Sequence, residues 1–547
     1  MVALATLLLA GLISGLLAGA PGQVRPAAAA PVDARPNVVL VVMDDFSMDL
    51  LATLRSAKEM ARRGASYEHA FVVDSLCCVS RASTFTGQYP HQTGVVTNTS
   101  ALETSDLGGW TAFAAGGNLR RSVNVALQRS GYATGFVGKY LNEYEWNPGW
   151  KVPQLPPGWT DFRAVFGSAY DGWDFASTRV EGGRLVITEH PAPPAAASAT
   201  TKDAAYAGTV ISQMALDFVE THEKGSTPYF LQVAPYAPHN RVNPEPAYPG
   251  DPLFPAAFAD RAGRGNCGAV PCRRLSARRL PGFGDRVGDN RPVTRRGKPA
   301  RAWNTTGGRM SRRQATAELR QRAQMAQSVD RMVGELLAAV GTNTYVVLTS
   351  DNGFHLGQVG MRRGKGTPYD TDAHVPLLVV GPGVAPGGRT EVVSNLDLAP
   401  TFEEIAGLAP QGFRAGTSLL PTFADPALVR RDATFMEHTQ QTLATGDPDA
   451  AFTGNELDRI PSWTAVRTPD ALLVRLDVNP LASKTRWAYE FYPYDRVGWE
   501  RRNQFSNPRR ARQVRALRSR LRAFERCRSV RGSTAVPASC RALTWQG

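Results

Sequence analysis

The residues able to do chemistry together sit in a few short stretches of this chain. Ser75-Leu76-Cys77-Cys78-Val79-Ser80-Arg81 leads into a small-residue and threonine run that stops at Gly87. That pattern reads as a loop entering a short helix, with the glycine as its end. A cysteine at such a start feels the positive end of the backbone dipole, and Arg81 adds to it, so anionic chemistry is favoured there. Two vicinal buried thiols with a purely structural role fit the same pair. Asp44-Asp45 and Asp351-Asn352 are hard oxygen donors of the kind that hold Ca²⁺ or Mg²⁺. Taken singly, the first pair also fits a helix N-cap and Asp351-Asn352-Gly353 a turn.

The elements that must position these residues are legible as apolar runs. Val38 to Met43 is continuously apolar and of strand length, which suits a strand buried on both faces. It ends at Asp44-Asp45. Ala133 to Val137 ends at Gly138-Lys139, Tyr229 to Val233 is trailed by His239, and Tyr345 to Leu348 runs into Asp351-Asn352. Helical patterns at about 49–64, 123–130, 203–222, 314–340 and 396–406 alternate with them. Val375 to Val380 reads as a further strand. The alternation predicts an α/β sandwich around a central, mostly parallel sheet, with the polar residues at the carboxyl ends of its strands. Residues 250–313 are Arg-rich and aperiodic, an expected surface insertion whose Arg273, Arg274, Arg278, Arg279, Arg295 and Arg296 make a basic rim. Beyond about residue 430, strand-like pieces and a basic helical stretch from Pro508 to Arg526 predict a smaller antiparallel sheet with a terminal helix.

Composition sets outer limits. At 547 residues, 43% hydrophobic and 20% charged, the chain is long enough for a large core and a smaller second unit. Its formal charge of +14 suits an anionic partner, such as nucleic acid, anionic lipid or a sulfated polymer, and equally fits a general bias towards arginine. Residues 1–30 read as a secretory signal cleaved between Ala20 and Ala30, or as a retained anchor, and no other stretch is apolar enough to span a bilayer. Export fits six cysteines, of which Cys267 and Cys272, and Cys527 and Cys540, are close enough for local disulfides. A zinc site lacks the four-ligand spacing.

In combination these motifs resemble the type I sulfatase family. Its signature, Cys-x-Pro-x-Arg followed by Thr-Gly, is matched by Cys77, Ser80, Arg81, Thr86 and Gly87, with Val79 where the family has Pro or sometimes Ala. The resemblance covers about 37–421 and implies an alkaline-phosphatase-like fold. It implies a catalytic domain over 31–430 and a C-terminal subdomain over 431–547. It further implies that Cys77 is oxidised to formylglycine by a formylglycine-generating enzyme. A Ca²⁺ or Mg²⁺ ion would be held by Asp44, Asp45, Cys77, Asp351 and Asn352, with Arg81, Lys139, His239 and Lys365 around the sulfate. Leu141 stands where the family commonly has His, His374 where arginine is commoner, and Asn395 to Thr401 matches a scaffold segment. The motifs around Cys77, Lys139 and Asp351 are most similar to the N-acetylglucosamine-6-sulfatase and extracellular endosulfatase branch. The implied function is a secreted hydrolase of sulfated sugars such as glycosaminoglycans, acting without nucleic acid. Two alternatives stand beside it. One is a phosphoester or phosphonate hydrolase of the same fold, which the eight histidines, none paired in the metal loops, disfavour. The other is a non-catalytic binder of sulfated polysaccharide, if Val79 prevents conversion of Cys77.

Overall fold

Strand β1, Asn37–Met43, holds the centre of the molecule because every side chain from Val38 to Met43 is buried. Its alternating residues feed two cores. Val38, Leu40 and Val42 pack on one side of the sheet, and Val39, Val41 and Met43 on the other. Each fully buried aliphatic side chain contributes roughly 1.5–3 kcal/mol, so a strand buried on both faces is a strong anchor. The computed structural model describes residues 35–100, 107–144, 154–304, 309–440, 449, 460–478, 486–495 and 498–545. The predicted signal or anchor at 1–30 lies outside them. Among the described residues, no helix is long and apolar enough to cross a membrane.

The remaining strands are β2 (Ala65–Phe71), β3 (Ala133–Gly138), β4 (Asp161–Gly167), β5 (Phe175–Glu181), β6 (Arg184–His190), β7 (Tyr229–Ala234) and β8 (Thr344–Ser350). They are followed by β9 (His355–Leu356), β10 (Arg363–Gly364), β11 (Leu377–Val380), β12 (Gly387–Ser394), β13 (Thr434–His438), β14 (Trp463–Thr468), β15 (Ala471–Asp477) and β16 (Trp487–Pro493). Ten of them form the main sheet in the order β12-β2-β11-β8-β1-β7-β3-β4-β5-β6. The run β8-β1-β7-β3-β4 is parallel throughout, whereas β11, β5 and β6 pair antiparallel. This is the expected mostly parallel α/β sheet. Strands β9 and β10 form a separate ribbon just before Lys365, and β13 to β16 form the expected small antiparallel sheet.

Helices Arg55–Arg63, Ala207–Glu223 and Arg312–Ala339 cover one face of the main sheet. Helices Cys77–Thr86, Val123–Arg129 and Leu398–Ile405 cover the other. The small sheet turns one face into this second core through Met436, Trp463, Ala465, Leu472 and Val474. Its other face carries the terminal helix Ala511–Cys527, seated on Phe435, Val466, Leu473 and Phe491.

The pattern expected at 203–222 proves to be two helices, Ala199–Ala204 and Ala207–Glu223, with the break at Ala205 and Tyr206. The strand expected from Val375 starts at Leu377, after Pro376, which has no N–H for the ladder. The insertion consists of short turns stapled by the Cys267–Cys272 disulfide, and its six singled-out arginines are all exposed. The second disulfide, Cys527–Cys540, closes the loop after the terminal helix.

The small sheet reaches the main domain through a buried carboxyl. Glu490 accepts hydrogen bonds from Trp303 Nε1 (3.1 Å), the Tyr369 hydroxyl (2.8 Å) and the Tyr492 hydroxyl (2.9 Å). Burial outweighs these donors and pushes its carboxyl from 4.5 up to about 7. A folded-state value above the unfolded one stabilises the protein below pH 4.5, and that contribution is lost as pH rises towards 7. At 1.36 kcal/mol per pH unit the loss is about 3 kcal/mol. Glu490→Gln is therefore expected to flatten the fall in unfolding free energy between pH 5 and 8, measured by denaturant titration. An unchanged slope would remove Glu490 as its source.

Candidate active site

Four neighbouring parallel strands, β8, β1, β7 and β3, deliver the polar residues to one end of the sheet. Met43 leads into Asp44 and Asp45, Ser350 into Asp351 and Asn352, Gly138 into Lys139, and β7 into the turn carrying His239. Gly138 has φ +106°, and a Cβ there would lie 2.1 Å from the Ala234 carbonyl oxygen, so only glycine lets Lys139 turn in beside β7. Asp45 adopts a left-handed backbone, φ +58°, which is uncommon outside glycine. Its carbonyl accepts from the Arg322 guanidinium, which also bonds the Ser47 hydroxyl (3.1 Å), so the long helix Arg312–Ala339 holds this turn from beneath.

Cys77 is the first residue of helix Cys77–Thr86, and Gly87 ends that helix at φ +61°, as expected. Cys77 and Arg81 are four apart and so share a helical face. Both vicinal cysteines are buried free thiols, but they face different surroundings. Cys78 joins the apolar core beside Val79, whereas the Cys77 Sγ lies 3.5 Å from Asp44 Oδ1 and 3.7 Å from Asp45 Oδ1. The scaffold residue Asn395 donates to the Ser80 carbonyl and hydroxyl oxygens (3.0 and 3.1 Å) and accepts from the Val73 amide, fixing the helix and the loop before it.

Lys139 Nζ donates to both oxygens of Asp44 (3.0 and 2.7 Å), and Lys365 Nζ reaches Asp45 Oδ1 and the Cys77 Sγ, each at 2.8 Å. Arg81 Nε donates to Asp351 Oδ2 (2.8 Å) while its other end bonds the Lys139 carbonyl (2.8 Å). The loop bearing Lys365 is fixed at several points. Asp372 accepts from the Thr367 hydroxyl (2.6 Å) and pairs with His355 (2.9 Å), and Ser75 bonds the Thr367 carbonyl (2.8 Å).

The electrostatics follow from this crowding. Burial pushes Asp44 up, but Lys139, His239, Arg81 and Lys365 outweigh it and hold the carboxyl well below the usual range. Burial dominates at Asp351 and pushes it up to about 6, against the opposing pull of Arg81. It also drives the Cys77 thiol far above its ordinary value, so the group present here is a neutral thiol and a poor nucleophile. Burial would lower His239, yet Asp45 and Asp44 raise it.

A divalent cation fits these donors. Asp45 Oδ2 and Asn352 Oδ1 are buried and accept no hydrogen bond among the described residues, leaving two oxygen ligands aimed into the cluster. Ligand atoms of Asp44, Asp45, Cys77 and His239 lie within 4.8 Å of one another. Asp351 sits alongside, but both its oxygens are engaged, Oδ1 by the Asp45 amide (3.1 Å) and Oδ2 by Arg81. All nine residues expected at the site are thus brought together and buried.

Sequence reasoning missed Asp449. Its Oδ1 lies 3.1 Å from Lys365 Nζ and 3.3 Å from His239 Nε2, and its Oδ2 accepts from Asn98 Nδ2 (3.1 Å). Asn98 in turn accepts from the Cys78 amide (3.0 Å). Asp449 lies in no periodic segment, so nothing in its local sequence marked it.

Known proteins share both sequence and fold with this chain. The N-acetylglucosamine-6-sulfatase of Capra hircus is 30% identical over 431 residues, 76% of this chain and 68% of that protein. An extracellular sulfatase SULF-1 homolog of Drosophila melanogaster is 28% identical over 400 residues, 71% of this chain. The chain spans only 52% and 31% of the length of two such extracellular relatives, from Caenorhabditis elegans and Drosophila melanogaster. A structure solved in complex with its substrate D-glucosamine-2-N,6-O-disulfate superposes with a TM-score of 0.61 at 19% identity, covering 90% of this chain and 98% of the other. A phosphonate monoester hydrolase from Silicibacter pomeroyi superposes with a TM-score of 0.57 at 18% identity, covering 90% and 96%. The sequence profile of the sulfatase family matches residues 36–408, the span that carries the assembled site apart from Asp449, and this chain belongs to the sulfatase family.

Proposed function

We propose that this protein is a secreted sulfuric-ester hydrolase that removes sulfate from sulfated sugars, in the manner of an N-acetylglucosamine-6-sulfatase. Cys77 is its modified residue, converted to formylglycine by a formylglycine-generating enzyme, and one Ca²⁺ or Mg²⁺ ion is its metal. The observation that carries this reading is the buried convergence of Cys77 with Asp44, Asp45 and Asn352 inside a ring of Lys139, Lys365, Arg81 and His239. Formylglycine supplies a carbonyl whose hydrate carries a nucleophilic hydroxyl, and the cation supplies charge that polarises sulfate oxygens. Asp44, Asp45, Asn352 and, on release of its present partners, Asp351 would hold the metal beside position 77.

The chain's own residues do the rest. Lys139, Lys365 and Arg81, all buried, place positive charge and donors where a sulfate monoester carries negative charge. His239 Nδ1 is hydrogen-bonded to the Asn240 carbonyl (2.7 Å), so Nε2 faces the cluster, 3.5 Å from Asp45 and 3.3 Å from Asp449, and can deliver a proton to the departing alcohol. Sulfated sugars are supported as substrates by the names of the sulfatase relatives and by the glucosamine disulfate bound to the structural neighbour. Secretion is supported by the extracellular relatives and by two disulfides, which persist in oxidising compartments.

Mass spectrometry of the tryptic peptide from Gly64 to Arg81 tests the modification. Val79 favours an extended backbone as Pro does, but adds bulk and keeps its N–H, so both thiol and aldehyde forms of Cys77 are expected. Thiol alone, in protein from its native host, would give precedence to a non-catalytic binder of sulfated polysaccharide. Release of phosphate or phosphonate faster than sulfate from matched aryl esters would turn the reading towards a phosphonate hydrolase.

A further inference from the structure

The terminal helix Ala511–Cys527 carries six arginines, and they fall into two groups. Arg518 lies over the rings of Tyr489 and Phe505, and Arg520 pairs with Asp432 (2.8 Å). Arg512, Arg515, Arg522 and Arg526 are exposed, and none has a side-chain partner among the described residues. Their spacing of three, seven and four residues places them within an arc of about 80° at 100° per residue. Val514, Leu517, Leu521 and Phe524 occupy the opposite, buried face. The helix has one acidic residue, Glu525, and it is engaged by Arg475 (2.7 Å).

The stripe is about 21 Å long at 1.5 Å rise per residue. At its N-terminal end lies a groove of about 520 Å³ whose lining includes Trp499, Arg501 and Arg509. In the same groove Arg510 and Arg502 are paired with Asp495 and Asp289, so Arg501 and Arg509, with no side-chain partner among the described residues, extend the stripe's series. Like charges at i,i+3 (Arg512 and Arg515) and i,i+4 (Arg522 and Arg526) repel, and the fold gains nothing from them. A partner with repeated negative charge removes that repulsion.

We propose that this stripe and groove form an exosite for a sulfated polysaccharide, separate from the catalytic pocket. The choice of polymer rests on the proposed function. Membrane insertion does not fit, because an interfacial helix buries its apolar face in lipid and this face is already packed on the small sheet. Phe524 meets Tyr89 and His91, just past the far end of the ten-residue helix that begins at Cys77. The small sheet stands between the terminal helix and the core that holds helix Cys77–Thr86, and the stripe is on the helix's outer face, away from position 77. Contacts there grip a chain remote from the sulfate being cut and leave a monosaccharide untouched.

The test uses the full-length protein, R512Q/R515Q/R522Q/R526Q, and a charge-matched control, R273Q/R274Q/R278Q/R279Q, with thermal melts to confirm folding. Binding to heparin is measured across a salt series, and needs no turnover, so an inactive protein would sink the proposed function and still leave the exosite testable. Counterion release makes log affinity fall linearly with log salt, so the stripe variant is expected to bind about 10-fold more weakly at 0.15 M salt, with a shallower slope, and the control to stay within about 3-fold. Turnover of a sulfated polymer should fall with the stripe variant while that of a small aryl sulfate is unchanged. Equal losses in both variants would reduce the effect to net charge and overturn the exosite. Tighter binding to duplex DNA or to anionic vesicles than to heparin would overturn the choice of partner.

Discussion

Alanine at position 77 is expected to abolish sulfate release, lowering kcat/KM by about 10⁴-fold or more, the scale seen when a covalent nucleophile is removed. The fold should tolerate the change. The Cys77 Sγ is a small group, and Lys365, which it contacts at 2.8 Å, keeps Asp45 and Asp449 as partners. The loss of stability is therefore about 1–2 kcal/mol, as for a small buried truncation. Cys78 supplies the control. It packs with Val79 and Phe85 in the apolar core, so Cys78→Ala is expected to cost stability but to keep turnover within about 3-fold once folded. Steady-state assays on a small aryl sulfate compare the two. Retention of a tenth of the activity by Cys77→Ala would show that the thiol position is not the nucleophile.

The site was legible because its residues stand at strand ends that the sequence marks twice, by an apolar run and by the polar residue that stops it. Val38 to Met43 followed by Asp44-Asp45 is such a mark, and so is the run before Asp351-Asn352. Strands half-buried or at the sheet's far edge carry no such mark. β5 and β6, Phe175 to His190, mix polar and apolar residues, and β6 is largely half-buried, so nothing in them outweighs a loop reading. β2 includes Ser66, Glu68 and His69, and is a strand because β12 and β11 flank it. Asp449 illustrates the other limit. Its place beside Lys365 and His239 is set by tertiary folding, and an acidic residue among Gly, Pro and Asp looks like any turn. Arg322 was hidden differently, as one arginine among many on a long helix, although its guanidinium holds the Asp45 carbonyl.

Removal of the proposed metal ligand Asp45 should be nearly as damaging as removal of Cys77. In the structure, Asp44, Asp45, Asp351 and Asp449 crowd around Lys139, Lys365 and Arg81, and the lysines are drawn onto the carboxylates. Among the described residues Asp45 Oδ2 and Asn352 Oδ1 stay without a hydrogen-bond donor, a cost of about 1–3 kcal/mol for each buried acceptor. These are the oxygens that would hold a divalent cation, whose charge would free Lys139 and Lys365 for a bound sulfate. Asp45→Ala removes one carboxylate ligand and a partner of Lys365 together, so activity should fall by about 10³-fold and bound metal should be lost. A ligand present at 100 times its Kd stabilises the folded state by about 2.7 kcal/mol, so the melting temperature of the unaltered protein should rise with added Ca²⁺ or Mg²⁺ and drop with chelator. The melting temperature of Asp45→Ala should respond to neither. If the unaltered protein keeps full turnover and the same melting temperature in chelator, the cluster holds no metal, and the lysine–carboxylate pairs seen here are its working state.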